Sequence, residues 1–423
     1  MQPNPCCLLY KNAFCAIIRK TNLWKGGTAV SREISTGAYW FYRRDLDRCA
    51  MELQLALRER IDGAALQTAA DRVRGQLSFL NYTRMKSEDG TRYLLTENKA
   101  PFSVRRDPGF LSLEAPENGG FLWSLAFWEN RLYLRLFHGL CDGMGLVEVT
   151  RQLLLRYFAL VKEDVDLPAL PLPDGSEYAD PFAFARPWDR SFPFRVPPAF
   201  QLQPESLDSY VPRRRLLSLS LGEVLAVSRQ NEGSVSGILS LLLARAVDIW
   251  REDRGDCVVV KCPINLRPML GCEGTMQNCV SSVQYVFSEK LRSMPFPRQA
   301  SCFKGMLMIQ SSEEYQMNRF HAWKQEMLRF NREGSIQEKR AVMAARAASV
   351  PMVSYLGSFS LGACDRYIDS VDIAMELEGG IGIVALCFGD RLVLNLMLSE
   401  KNSSFLPALT GELEKLGIAF TWE

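Results

Sequence analysis

The first clear alternation of apolar and polar positions is Met51 to Leu57, MELQLAL, where the apolar side chains recur mainly at every second place. That period belongs to a strand with one face buried. Leu66, Ala69 and Val73 then recur at helical spacing, which predicts a helix with Asp62 as its N-cap. Next, FLWSLAFWENRLYLRLF reads as two strands folded about Glu129-Asn130, a hairpin. After a short glycine-rich stretch the period returns to helical in GLVEVTRQLLLRYFAL.

From Asp164 to about Pro212 periodicity disappears into proline- and aromatic-rich sequence, LPALPLPDGSEYADPFAFARPWDRSFPFRVPPAF. Proline continues neither a helix nor a central strand, so this reads as a long connector. It divides the chain into an N-terminal domain over 1–180, a connector over 181–212 and a C-terminal domain over 213–423. The second half again begins strand then helix, in RLLSLSLGEVLAVSRQ, followed by the largely apolar helix SVSGILSLLLARAVDIW. Strands are predicted at CVVVKCPIN, NCVSSVQYVF and PMVSYLG, with a long helical region over 298–348 before the last of these. A strand pair turning at Gly389-Asp390 and a closing helix from about Ser404 complete the chain. The order is mixed α+β, without the regular strand–helix alternation of a doubly wound sheet.

A length of 423 residues agrees with two domains. Lys and Arg together number 50 against 48 Asp and Glu, and Arg213-Arg214-Arg215 is too short a run to form a nucleic-acid-binding stripe. No stretch approaches the roughly 18 uninterrupted apolar residues of a membrane span. The N-terminal MQPNPCCLLYKNAFCAIIRK lacks the basic start of a signal peptide and reads as mature protein. The 12 cysteines are scattered without a CxxC pair, and Cys257, Cys262, Cys272 and Cys279 lack zinc-ligand spacing. Reduced, buried thiols in a cytoplasmic protein without bound metal are expected.

The chain has 2 histidines, and His138 stands in LRLFHGLCDGMGLVEV where a strand gives way to a helix. Gly139, Gly143 and Gly145 permit close backbone approaches there. An imidazole titrating near neutrality can take a proton from a hydroxyl or amine and return it. The bland alternative is a structural histidine in an ordinary turn. Gly139 to Gly143 also fits a cysteine nucleophile elbow around Cys141, but the preceding hairpin is antiparallel and the elbow's downstream acid–histidine order is missing. Gly380, Gly382 and Ala385 form a GxGxxA that leads into a strand instead of a helix, against a dinucleotide site. His321, flanked by Phe320 and Trp323, reads as a packing or surface residue.

The stretch FHGLCDG resembles the HHxxxDG/HxxxDG signature of the CoA-dependent acyltransferase superfamily, which includes chloramphenicol acetyltransferase, alcohol acetyltransferases and peptide-synthetase condensation domains. LALRERIDGAALQTAADRVRGQLSFL, PINLRPML with Asn278 after it, and VSYLGSFSL are similar to further segments of that superfamily in the same order. The resemblance implies two chloramphenicol acetyltransferase-like domains, each a mixed sheet flanked by helices, arranged as a V-shaped pseudo-dimer with a central tunnel. It implies His138 as general base, Asp142 paired with Arg267 as a structural support, and Gly143 beside the substrate with a backbone N–H for the oxyanion. Ser354 and Tyr355 are candidate hydroxyl donors near the thioester, Tyr355 standing where the superfamily has asparagine, and Phe137 replaces the first histidine. The implied co-substrate is acyl-CoA or a phosphopantetheinyl carrier protein, with a small alcohol or amine acceptor, no permanently bound cofactor and a monomeric chain. A condensation-type amide-forming enzyme and a non-catalytic, partner-recruiting relative are the alternatives.

Overall fold

The computed structural model describes residues 32–43, 45–165, 176–187, 194, 196–202, 212–251, 255–345, 350–375 and 380–423. The N-terminal stretch read as mature protein, and much of the proline-dense connector, lie outside the described residues.

The alternating run forms the strand Ala50–Leu57, which buries Leu53 and Leu55 completely. It pairs antiparallel with Arg131–Phe137, which pairs in turn with Trp123–Trp128 through the predicted hairpin. Asp62 caps the helix Gly63–Gln76 as expected, its Oδ1 accepting the N–H groups of Ala64 and Ala65 at 2.8 and 3.0 Å. That helix packs against Gly143–Val161, and both bury their apolar faces in one core with the strands of this first, five-stranded sheet.

The second sheet has seven strands in the order Val280–Phe287, Val258–Asn265, Met352–Ser358, Ile381–Phe388, Arg391–Ser399, Pro212–Ser220, Phe420–Trp422. Its central helix, Val235–Trp250, has apolar residues almost all round and is correspondingly buried, which is the behaviour of a core helix. Strand Met352–Ser358 runs parallel to both neighbours while the other pairs are antiparallel, so the sheet is mixed. The GxGxxA positions fall on Ile381–Phe388, a strand, which removes the dinucleotide reading. The antiparallel pairing of Arg131–Phe137 on both edges likewise removes the elbow reading of Cys141.

One strand crosses between the two lobes, the halves of the fold built on the five-stranded and the seven-stranded sheet. Ile368–Met375 lies in the chain between two strands of the second sheet, yet it pairs antiparallel with Ala50–Leu57 at the edge of the first, with Val371 opposite Leu55 and Ile373 opposite Leu53. The long helical region resolves into Phe296–Gln310, Glu313–Arg332 and Ile336–Ala345. The last two reach back onto the short helical turn Ala38–Tyr42 of the first half. Asn331 Nδ2 donates to the Ile34 carbonyl at 2.9 Å, and Lys339 Nζ donates to the Thr91 carbonyl at 2.9 Å. Among the described residues no single helix is long and apolar enough to cross a membrane.

Candidate active site

The strand Arg131–Phe137 delivers His138 into the junction of the lobes. The His138 N–H donates to the Cys49 carbonyl at 2.9 Å, and the chain then turns, with Leu140 N–H on the Phe137 carbonyl at 2.9 Å. Phe137, which stands in place of the first histidine of the HHxxxDG signature, is fully buried and meets Phe41 edge to face at 4.7 Å. A β-carbon on Gly139 would lie 2.3 Å from Phe137 and 2.4 Å from Phe41, so only glycine lets the turn sit this close to both rings.

The half-buried His138 ring is held by two contacts. Its Nδ1 lies 2.9 Å from the Cys141 carbonyl, and the ring stacks on Trp40 with centroids 4.3 Å apart and planes 16° from parallel. A carbonyl oxygen only accepts, so Nδ1 carries the proton and Nε2 of the neutral ring presents a lone pair. Burial pushes the His138 imidazole below its ordinary value; the positive charge of Arg43 acts the same way, and Asp142 and the hydrogen bonds act against it. Burial thus favours the neutral ring, which has the lone pair a general base needs.

Asp142 ends the loop, buried, and begins the helix Gly143–Val161 as its N-cap. Its Oδ1 accepts the Gly145 N–H at 3.0 Å and Arg267 Nη2 at 2.9 Å, and its Oδ2 accepts the Cys279 N–H at 3.0 Å. Arg267, also buried, donates besides to the carbonyls of Thr275 and Gln277 and to Asn265 Oδ1. Every charge in this clasp has partners, as a buried ion pair requires. The pair is the one the sequence pointed to, and it ties the histidine loop of the first lobe to the loop after Val258–Asn265 of the second.

Two further contacts hold the histidine: the sequence names Asn278 within a motif but not its partner, and it does not single out Trp40. Asn278 Nδ2 donates to the His138 carbonyl at 2.7 Å, so the second lobe also holds the histidine's own backbone. Trp40 comes from a segment without periodicity, and only its cluster of aromatic neighbours, AYWFY, sets it apart.

The strand Met352–Ser358 brings in Leu356, whose side chain would lie 2.7 Å from a β-carbon on Gly143. Side chains alternate along a strand, so Ser354 shares the face of Leu356 and Tyr355 points the other way. Tyr355 packs on the second lobe's core, and its hydroxyl lies 3.4 Å from Cys387 Sγ. The structure thus brings together His138, Asp142, Gly143 and Arg267 and places Ser354 on the adjoining face, while the Tyr355 hydroxyl is directed away. Cys141 is fully buried, and that burial raises its thiol well above the usual range, so it is no thiolate nucleophile. His321 lies on Glu313–Arg332 with its Nε2 3.4 Å from the Gln325 amide nitrogen. A separate cavity of about 140 Å³ is lined by Leu57, Asp62, Tyr157, Lys162 and Tyr367, among others, and includes none of the site residues.

No protein-family model and no curated protein matches this chain. Solved structures do match its fold. TRI101 of F. graminearum complexed with ethyl coenzyme A superposes with a TM-score of 0.64 at 12% identity, over 93% of this chain and 100% of that one. Polyketide synthase associated protein 5 from Mycobacterium tuberculosis gives 0.61 at 15% identity, over 90% and 96%. The first condensation domain of the CDA synthetase gives 0.61 at 13% identity, over 92% and 96%. This chain therefore has the mixed α+β fold of these solved structures, matched over at least 90% of its length.

Proposed function

We propose that the protein is an acyltransferase that moves an acyl group from a thioester, acyl-CoA or an acyl-carrier protein, to an alcohol or amine, with His138 as general base. The observation that carries this reading is the Nδ1–H donated to the Cys141 carbonyl, which leaves Nε2 as the proton-accepting nitrogen of a neutral, half-buried ring at the lobe junction. A structure of F. graminearum TRI101 complexed with coenzyme A and T-2 mycotoxin supports a thioester donor and a small acceptor for this fold.

In the proposed reaction Nε2 takes the proton of the acceptor as its oxygen or nitrogen bonds to the thioester carbonyl carbon. The carbonyl becomes an oxyanion. When it re-forms, the carbon–sulfur bond breaks, and the departing thiolate receives the proton from Nε2. Such proton transfer typically contributes about 10²- to 10⁴-fold in rate. The Asp142 carboxylate takes up the N–H of Gly145 and leaves that of Gly143 uncapped, so the Gly143 N–H is assigned to the oxyanion. Ser354, on the face toward Gly143, is assigned to the donor side, and Tyr355 receives no part. The reactants reach Nε2 along the junction between the lobes. The chain works as a monomer without a permanently bound cofactor, and its free thiols, 9 among the described residues, suit the cytoplasm.

The likeness to a condensation domain favours one second reading, in which donor and amine acceptor are both carrier-bound. A thiol-release assay decides, with acetyl-CoA, longer acyl-CoAs and acylated carrier protein offered against alcohols and amines. Turnover by the wild type and its loss in His138→Ala are expected; equal rates in both would remove the general-base role.

A further inference from the structure

We propose that Trp40 is a positioning residue for His138, fixing the plane of the imidazole and so aiming Nε2 into the junction. This deepens the general-base reading and rests on it. The hydrogen bond to the Cys141 carbonyl selects which nitrogen bears the proton, but one such bond leaves the ring free to tilt about its axis. The Trp40 face, 4.3 Å away and nearly parallel, removes that freedom.

The platform is itself held from both lobes. Trp40 belongs to the turn Ala38–Tyr42 and contacts Tyr39, whose ring meets Trp323 of the helix Glu313–Arg332 at 6.2 Å. That helix and Ile336–Ala345 pack on the turn, and Asn331 bonds the Ile34 carbonyl just before it. The second lobe thus supports the base twice, through Asn278 on its backbone and through the surface on which Trp40 rests. The charged groups around the ring are Arg43, whose guanidinium carbon is 4.6 Å from the Trp40 ring centroid, and Asp142. Among the described residues Cys49 and Cys141 also meet His138, through their backbone carbonyls.

A chain with 2 histidines allows a direct test on the full-length protein labelled with ¹⁵N and ¹³C at histidine, with His321→Gln supplying the assignment. Wild-type His138 is expected to show one protonated and one lone-pair nitrogen, with ring protons displaced upfield by the indole. In Trp40→Ala the displacement should vanish and the nitrogen shifts should move to the average of a free imidazole, while Trp40→Phe should retain part of both. On whichever donor–acceptor pair the wild type turns over, Trp40→Ala should lower kcat about 10- to 100-fold with KM little changed, because small misplacements of a reacting group have effects of that order. Trp40→Phe should restore most of the loss. If Trp40→Ala fails to fold, Trp40→Phe alone decides, since a wild-type nitrogen pattern and shift in a ring without indole would overturn the proposal. Wild-type shifts and kcat in Trp40→Ala would overturn it equally. Altered shifts with undiminished turnover in both Trp40→Ala and His138→Ala would instead remove the general-base reading and leave the hold on the ring standing.

Discussion

Two buried aspartates anchor arginines in this protein, and they do different work. Asp248 accepts Arg251 Nη2 at 2.7 Å and Arg292 Nε at 2.7 Å, partners 3 and 44 residues away, and the whole cluster lies within the second lobe. Asp142 accepts Arg267 at 2.9 Å across 125 residues and two lobes, and adds the N–H groups of Gly145 and Cys279. The chemistry is the same, but the first cluster can stabilise only the lobe that contains it. The second also fixes how the histidine loop meets its neighbour. A buried ion pair becomes functional through what it joins, and sequence separation is the visible sign of that.

Substitutions test this contrast. The largest effect is expected at neither aspartate. His138→Ala should remove about 10²- to 10⁴-fold of turnover, the share typical of a general base, while the melting temperature by calorimetry stays near that of the wild type. Asp142→Asn and Arg267→Ala should each cost about 3–5 kcal/mol in denaturant unfolding, because each strands a buried partner, and should lose turnover as well. Asp248→Asn should cost stability of the same order but leave turnover per folded molecule intact. Lost turnover there would erase the distinction between the two clusters.

Acid sharpens it further. Burial works against the charged form of Asp248, yet the guanidiniums of Arg292 and Arg251 prevail and hold its carboxyl below the usual range. The stabilisation is therefore complete above the unfolded value of about 3.9 and is lost as pH falls through the lower folded value. Unfolding of Asp248→Asn followed across acid pH should lack this component. For turnover, the depressed His138 imidazole predicts an acid limb of kcat/KM centred below about 6.5, rising with pH as the base is freed. The smallest effect is expected at Tyr355→Phe, within about twofold in turnover, since its hydroxyl rests on Cys387 away from the histidine.

Much of the site was legible because its signals are local. Asp62 sits at a helix start, where an aspartate oxygen satisfies a free N–H, and the predicted cap forms; the structure adds a second cap of the same kind at Asp142. The hairpin at Glu129-Asn130 and the turn at Gly389-Asp390 follow from alternation on either side of them. The Asp142–Arg267 pair came from the resemblance of two short segments, and the geometry places it as expected. What stayed hidden depends on long-range placement. Trp40 acts through a stack with a residue 98 positions on, and nothing in AYWFY names that partner. Tyr355 was named by its place in a motif, but one step along a strand turns a side chain to the opposite face. Nothing in IDSVDIAM, the sequence of the strand Ile368–Met375, says which sheet will take it.

That strand carries a consequence for how the chain is made. Its partner Ala50–Leu57 leaves the ribosome more than 300 residues earlier, and until the late segment arrives one edge of the first sheet has no hydrogen-bonding neighbour. An open edge is a template for pairing with another chain. A gene fragment ending at the connector should therefore yield aggregated first lobe, and supplying residues 213–423 in trans should rescue its solubility.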